Sequence, residues 1–217
     1  MSGHATSDAG PGSSTPFPVD AGPVARRRGR PRSEQVEQAI AEATVELLAE
    51  HGVGGLSVEA VAARAGVAKT TIYRRWPGKY ELILAVLARA RGSLVVPPAG
   101  RPVRDDLIFM LERMRASLTD DTLGRILPKL IGDSRDHQDL LDEYLRRIVA
   151  PRRRLFEDVL RRGIAEGVIR ADIDLPLACE VLLAPVLIGS WAPAGPRVTG
   201  QQIPALVDLL LAGLAAT

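Results

Sequence analysis

Six of the seven residues from Lys69 to Arg75 carry a side-chain hydrogen-bond donor: Lys69, Thr70, Thr71, Tyr73, Arg74 and Arg75. They belong to the stretch "AGVAKTTIYRRWPGK", which ends on a further cation, Lys79. Donors and positive charge at this density suit a partner made of acceptors. Base edges in the major groove and backbone phosphates are such a partner. Val67 and Ile72 can plug a core beneath the segment, which leaves the donors on its other faces. The competing reading is a basic helix that faces only water.

A donor-rich helix needs elements that hold it. Before it, "LSVEAVAARAG" reads as a helix with Ser57 as N-cap and Glu59 interacting favourably with the helix dipole. Val58, Val61, Ala62 and Ala65 point inward. Gly66 supplies a turn residue free to take φ > 0, and Ala62 a small contact where two short helices cross steeply. Together these make a helix-turn-helix. An earlier helix is predicted over Ser33 to His51, capped by Ser33 and ended by Gly52, with Val36, Ile40, Ala43, Leu47 and Leu48 as its apolar stripe. The donor-rich helix covers Ala68 to Arg75. A fourth helix, from Lys79 to Arg91, turns Leu82, Ile83, Val86, Leu87 and Ala90 inward.

With these residues in place, "LSVEAVAARAGVAKTTIYRRWPGKYELI" resembles the DNA-binding domain of the TetR/AcrR transcriptional regulators, over Ser33 to Leu87. The matching features are the Ser-capped second helix, the Ala-Gly-Val turn, Tyr73 followed three residues later by an aromatic, and Lys79 opening the fourth helix. Ala68 departs from the Ser or Thr cap common in the family, and Trp76 stands where Phe is usual. The resemblance implies that Ser57 hydrogen-bonds a phosphate and that Lys69, Thr70 and Thr71 face the major groove. It also implies that Tyr73 and Arg74 reach backbone phosphate and that Lys79 binds phosphate as a point charge. Arg75 stays open between a DNA contact and a solvated arginine, and Trp76 reads as a core wedge. Further along, "EGVIRADIDLPLA" resembles the junction before the family's last two helices, which implies a C-terminal domain for effector binding and dimerisation.

Upstream lies "ARRRGRPR", five arginines in eight residues. Its "RGRP" resembles the core of an AT-hook, placing Arg28, Arg30 and Arg32 along a narrow A·T minor groove. A merely solubilising basic tail is the alternative. Residues 1–25, rich in Gly, Ser, Pro and Ala, read as a disordered tail. Residues 26–92 hold the arm and the helix-turn-helix domain. After the linker "GSLVVPPAGRP", residues 93–217 form the helical effector-binding and dimerisation domain.

Helical patterns there cover Val103 to Leu118, Leu123 to Ile131 around Pro128, Gln138 to Glu166 with Pro151 inside, Leu175 to Trp191, and Gln201 to Ala215. No stretch alternates with period two. The expected fold is all-α: an N-terminal three-helix helix-turn-helix domain plus a C-terminal helical domain. Leu175 to Trp191 is apolar nearly all round, and the last helix carries a wide apolar stripe. Leu182, Val186, Ile203, Leu206, Leu210 and Leu214 are therefore expected at a homodimer interface built as a four-helix bundle. Prolines within helices bend them and can open a cavity. Phe109, Met110, Met114 and Phe156 are expected to line it for a small lipophilic effector; ordinary core packing is their alternative.

Net charge is only +2 over 217 residues, but it is uneven. From Ala21 to Gly92 twelve Lys/Arg face seven Asp/Glu, whereas from Ser93 onward sixteen face seventeen. An anionic partner is expected at one end only. Cys179 is the single cysteine, so no intrachain disulfide forms, and its apolar surroundings predict a buried, inert thiol. No signal peptide or membrane span is read, and the cytoplasm is the expected location. No metal-ligand cluster, nucleophile elbow or P-loop is present, so neither an enzyme nor a cofactor protein is expected. A DNA-acting enzyme would need a nucleophile or carboxylate cluster that cannot be assembled. The expected function is a transcriptional repressor released from a palindromic operator by a small molecule. The alternative is a DNA-binding regulator or architectural protein with no small-molecule effector.

Overall fold

The computed structural model describes residues 30–118, 121–191 and 197–215. Within them the chain is all-α. Helix α1 spans Arg30–Gly55, α2 Val58–Arg64, α3 Lys69–Tyr73 and α4 Lys79–Arg91. Then follow α5 (Val103–Leu118), α6 (Asp121–Gly132), α7 (Gln138–Tyr144), α8 (Ala150–Ala165), α9 (Leu175–Trp191) and α10 (Ile203–Leu214).

The α1 stripe is as periodicity requires: Ile40, Ala43, Leu47 and Leu48 are all buried. Its regular part ends at Gly52, where φ is 67°. The next amide, Val53 N–H, donates to Asp133 Oδ2 at 2.6 Å, so a carboxylate from the turn after α6 closes the end of α1. A Cβ on Gly52 would collide with that same carboxylate. The start of α1 differs from expectation. The described helix already includes Arg30, ahead of the expected start at Ser33. Ser33 does not cap it; its hydroxyl instead accepts from Arg75 at 2.7 Å.

The turn between α2 and α3 closes as the sequence predicts. Ser57 Oγ accepts from Ala60 N–H at 3.1 Å. At the other end Gly66 takes φ 65°, Val67 N–H reaches the Ala62 carbonyl at 3.0 Å and Gly66 N–H reaches Ala63 at 3.3 Å. This pair of bonds is the Schellman closure, which needs a residue at ease with positive φ. Ile72 is then driven fully into the core beneath α3.

Behind this head, α1 lies along α6, and α5, α8, α9 and α10 pack together. A fully buried carboxylate, Asp106 on α5, accepts from Arg162 of α8 at 2.7 Å, with Arg101 at 3.6 Å. Asp174 caps α9 through Leu177 N–H at 3.0 Å. The predicted long helix over 138–166 is interrupted. Residues Leu145–Val149 form a wide π turn in which Ala150 N–H reaches back to the Leu145 carbonyl. Pro151 has no amide to offer, so it sits in the first turn of α8, where none is needed. Pro128 and Pro185 are accommodated inside α6 and α9.

Gly52 and Gly66, two of the five glycines at positive φ, give a graded test. Nothing lies within 4 Å of a Cβ placed on Gly66, so Gly66→Ala suffers backbone strain alone, about 1–2 kcal/mol. Gly52→Ala adds the clash with Asp133 and should cost clearly more. Urea denaturation of both variants checks this; equal losses would mean that Asp133 does not hold the end of α1.

Candidate DNA interface and arginine-lined cavity

The short α3 presents Thr70, Tyr73 and Arg74 as exposed side chains, with Tyr73 46% accessible, while Thr71 is half-buried. Lys69 is exposed and forms a 3.2 Å ion pair with Glu59 of α2, which lowers the Glu59 pKa after its own backbone hydrogen bond. Such a solvent-exposed pair contributes little and can yield to a phosphate. Ser57 uses a lone pair in capping and keeps its hydroxyl proton for a further acceptor. Ala68, at the N-cap of α3, makes no side-chain cap. Lys79, opening α4, gives one donor to the Val53 carbonyl at 3.2 Å and has two more. The exposed cations and hydroxyls thus gather on the α2–α3 side of the head.

Arg75 is not part of that face. It turns back to α1, pairing with Glu37 at 2.5 Å and donating to Ser33, and so ties α3 down. Trp76 is half-buried and packs against the core as a wedge. Arg28 lies outside the described residues. Arg30 and Arg32 lie within α1.

A second feature lies at the far end of α4. A cavity of about 390 Å³ is lined by Met110, Met114 and Phe156, with Leu94, Val95 and Leu155 as further apolar wall. Arg91, Arg113 and Arg152 line it too, and no acidic residue does. Phe109 does not reach it: its ring lies 5.1 Å from the Arg101 guanidinium, a cation–π contact on another side of α5. From sequence, "PRRRLF" reads as a solvated helix face, with an anion site as its alternative. In the structure Arg153 pairs outward with Glu157 and Glu180, while Arg152 turns in.

Residues 40–86 match the profile for bacterial regulatory proteins of the tetR family, and residues 96–210 match the tetracyclin repressor-like C-terminal domain. The chain belongs to the TetR family. It is a DNA-binding transcriptional regulator, and its relatives are regulators rather than enzymes. It is 31% identical over 192 residues to the uncharacterized HTH-type transcriptional regulator YdeS of Bacillus subtilis, covering 88% of this chain and 96% of that one. It is 33% identical over 156 residues to the DNA-binding transcriptional repressor TetR of Mycobacteroides abscessus, covering 69% and 79%. The crystal structure of the TetR family transcription regulator SCO0332 superposes with a TM-score of 0.60 at 34% identity, covering 83% of this chain and 99% of that one.

The apolar C-terminal helices of this TetR-family regulator divide differently from expectation. Leu182, Val186 and Ile203 are buried within the chain itself, so they form its own core and not a dimer face. Leu206, Leu210 and Leu214 are half-buried and line a groove between α9 and α10. The uncovered apolar residues are Leu177, Val181 and Ile188 of α9 and Leu209 of α10, the last 74% exposed. Cys179 is buried as expected, and burial pushes its thiol up to about 11.

The α3 geometry separates two kinds of contact. Arg74 is exposed and pairs with none of the described residues, so Arg74→Ala should weaken binding on every duplex alike and reduce the salt slope by about 1. Thr70→Ala should instead change the preferred bases, by about 1–3 kcal/mol at one position. Selection of random duplexes at two salt concentrations reads both effects. Identical selected sequences for wild type and Thr70→Ala would remove Thr70 from base reading.

Proposed function

We propose that this regulator is a homodimeric repressor that holds an inverted-repeat operator and lets go when a small molecule fills the cavity. Residues 26–92 read the DNA, through Ser57, Lys69, Thr70, Thr71, Tyr73, Arg74 and Lys79, with Arg28, Arg30 and Arg32 adding positive charge upstream. Residues 93–217 dimerise and take the effector, and the protein works in the cytoplasm. The observation that carries the reading is the placement of α4. Its first residue, Lys79, is fastened to the head at Val53, and its last turn, at Arg91, lines the cavity. Thirteen residues of helix span about 20 Å, so one rigid rod joins the two features.

An open cavity favours this reading over a regulator with no effector, which would fill the space with its own side chains. The sign, repression, is supported by the Mycobacteroides abscessus relative, a DNA-binding transcriptional repressor.

Dimerisation follows from the uncovered face. Leu177, Val181, Ala184 and Ile188 recur at spacings of four, three and four, which is one face of α9, and Leu209 extends it onto α10. A second copy laid on this face makes a four-helix bundle with two-fold symmetry. Two heads then read half-sites about 34–36 Å apart or at a similar one-turn spacing. Leu209→Glu puts a charge in the seam without touching the chain's own core. The variant should run as a folded monomer by light scattering. Its affinity for the palindrome should fall about 100-fold or more, because two linked contacts become one. A monomeric variant with wild-type affinity on the intact palindrome would overturn the dimer reading.

A further inference from the structure

The cavity behind α4 contains a charge that the protein does not answer. Arg91 is 4% exposed, and its Nε and Nη1 atoms have no hydrogen-bond partner. No carboxylate of the described residues lies within 4 Å of Arg91, Arg113 or Arg152. A buried lysine or histidine could escape by losing its proton. A guanidinium cannot, because it stays protonated at any physiological pH. Tyr144, whose buried hydroxyl feels both Arg91 and Arg152, offers no negative charge either, since burial raises its pKa.

Arg152 deepens the deficit. Its donors go to neutral carbonyls: Ile148 at 2.8 Å, Arg91 at 3.4 Å, and Gly92. Burial and the neighbouring Arg91 charge hold its pKa below the usual arginine value. Arg113, on the exposed side of α5, adds a third cation to the same lining. The same lining includes thioether, phenyl and leucyl groups from Met110, Met114, Phe156 and Leu155. A cavity of about 390 Å³ falls within the range of roughly 300–1,000 Å³ typical of small-molecule sites.

We infer that this cavity takes an amphipathic anion, with a carboxylate or phosphate head on Arg91 and its arginine neighbours and an aliphatic tail against Met110, Met114 and Phe156. The guanidinium fork suits either head, because both offer two coplanar oxygens. The inference rests on reading the cavity as the effector site and supplies the ligand class that reading lacks. The head group binds at the last turn of α4, so the anion meets the rod that runs to the DNA-binding head. The adaptable Met pair suits tails of more than one shape.

Four probes with one tail separate the terms: decanoate, decyl phosphate, decanol and decyltrimethylammonium. Each is titrated calorimetrically into the full-length protein without DNA. Decanoate or decyl phosphate should bind at least about tenfold more tightly than decanol, and the cation should bind more weakly still. The tighter of the two anions identifies the head. Arg91→Met keeps the side-chain length and removes the unpaired charge. It should retain the fold, weaken the anion about tenfold or more, and leave decanol unchanged. Arg113→Met, at an exposed position that cannot compromise the core, provides a second variant with the same direction of effect. Decanol binding as tightly as both anions, or anion binding indifferent to both substitutions, overturns the inference. Operator release is measured separately by fluorescence anisotropy. Arginine-dependent anion binding that leaves the operator bound would uphold the ligand class and overturn the effector reading.

Discussion

The Asp133 carboxylate takes the Val53 amide, and that bond joins the head to the helices behind it at the point where α1 stops. A helix terminus leaves backbone groups without partners, and one buried without a substitute would be costly. Here the substitute comes from eighty residues downstream. The same seam carries three further fasteners from other parts of the rear bundle. The Tyr80 hydroxyl meets His137 Nδ1 at 2.8 Å, Glu81 pairs with Arg147 at 2.9 Å, and Arg152 holds the carbonyls at the end of α4. Gly52 must be glycine twice over: for its φ, and for the room Asp133 needs.

These fasteners are polar, directional and partly exposed, and they act beside the packing of α1 on α6, the most extensive contact between the head and the bundle. Exposed ion pairs such as Glu81–Arg147 add little to stability. They define where α4 sits relative to α7 and α8. A seam of this kind can change partners at small cost, which an interlocked apolar core cannot.

Legibility followed sequence distance. The α2–α3 turn was readable because its determinants are neighbours: Ser57 three residues before Ala60, Gly66 at the helix end, Ile72 at helical spacing. The all-α class and the buried Cys179 were readable from periodicity and an apolar run. What failed depended on contacts far along the chain. Arg75 looked like a DNA or solvent residue, yet Ser33 and Glu37 claim it. Leu182, Val186 and Ile203 looked like dimer residues, because hydrophobic periodicity marks burial without saying which surface does the burying. Phe109 and Met110 are adjacent in sequence and face different surroundings, since one residue of helix turns a side chain by about a quarter circle. Nothing in "LARARG" distinguishes Arg89, which is exposed, from Arg91, which is buried; only tertiary packing does that.

Arg91 gives the arrangement its direction. An unpaired buried charge raises the energy of the ligand-free protein, and the strain falls on the last turn of α4 and on Arg152, which grips the carbonyls beside it. A ligand shifts a conformational equilibrium only by the difference between its affinities for the two states. An anion that satisfies Arg91 gains most in whichever state brings the guanidinium and its neighbours closest to the head group. It also offers Arg152 a charged acceptor in place of neutral carbonyls, and charge-assisted hydrogen bonds are roughly twice as strong as neutral ones. Drawing Arg152 toward the anion loosens its hold on the end of α4. The other end of that helix is tied to Val53 through Lys79, so a change at the cavity reaches the turn that Asp133 closes. On the effector reading proposed above, the charge left unanswered in the free protein is what would let a small anion act on the head from the far end of one helix.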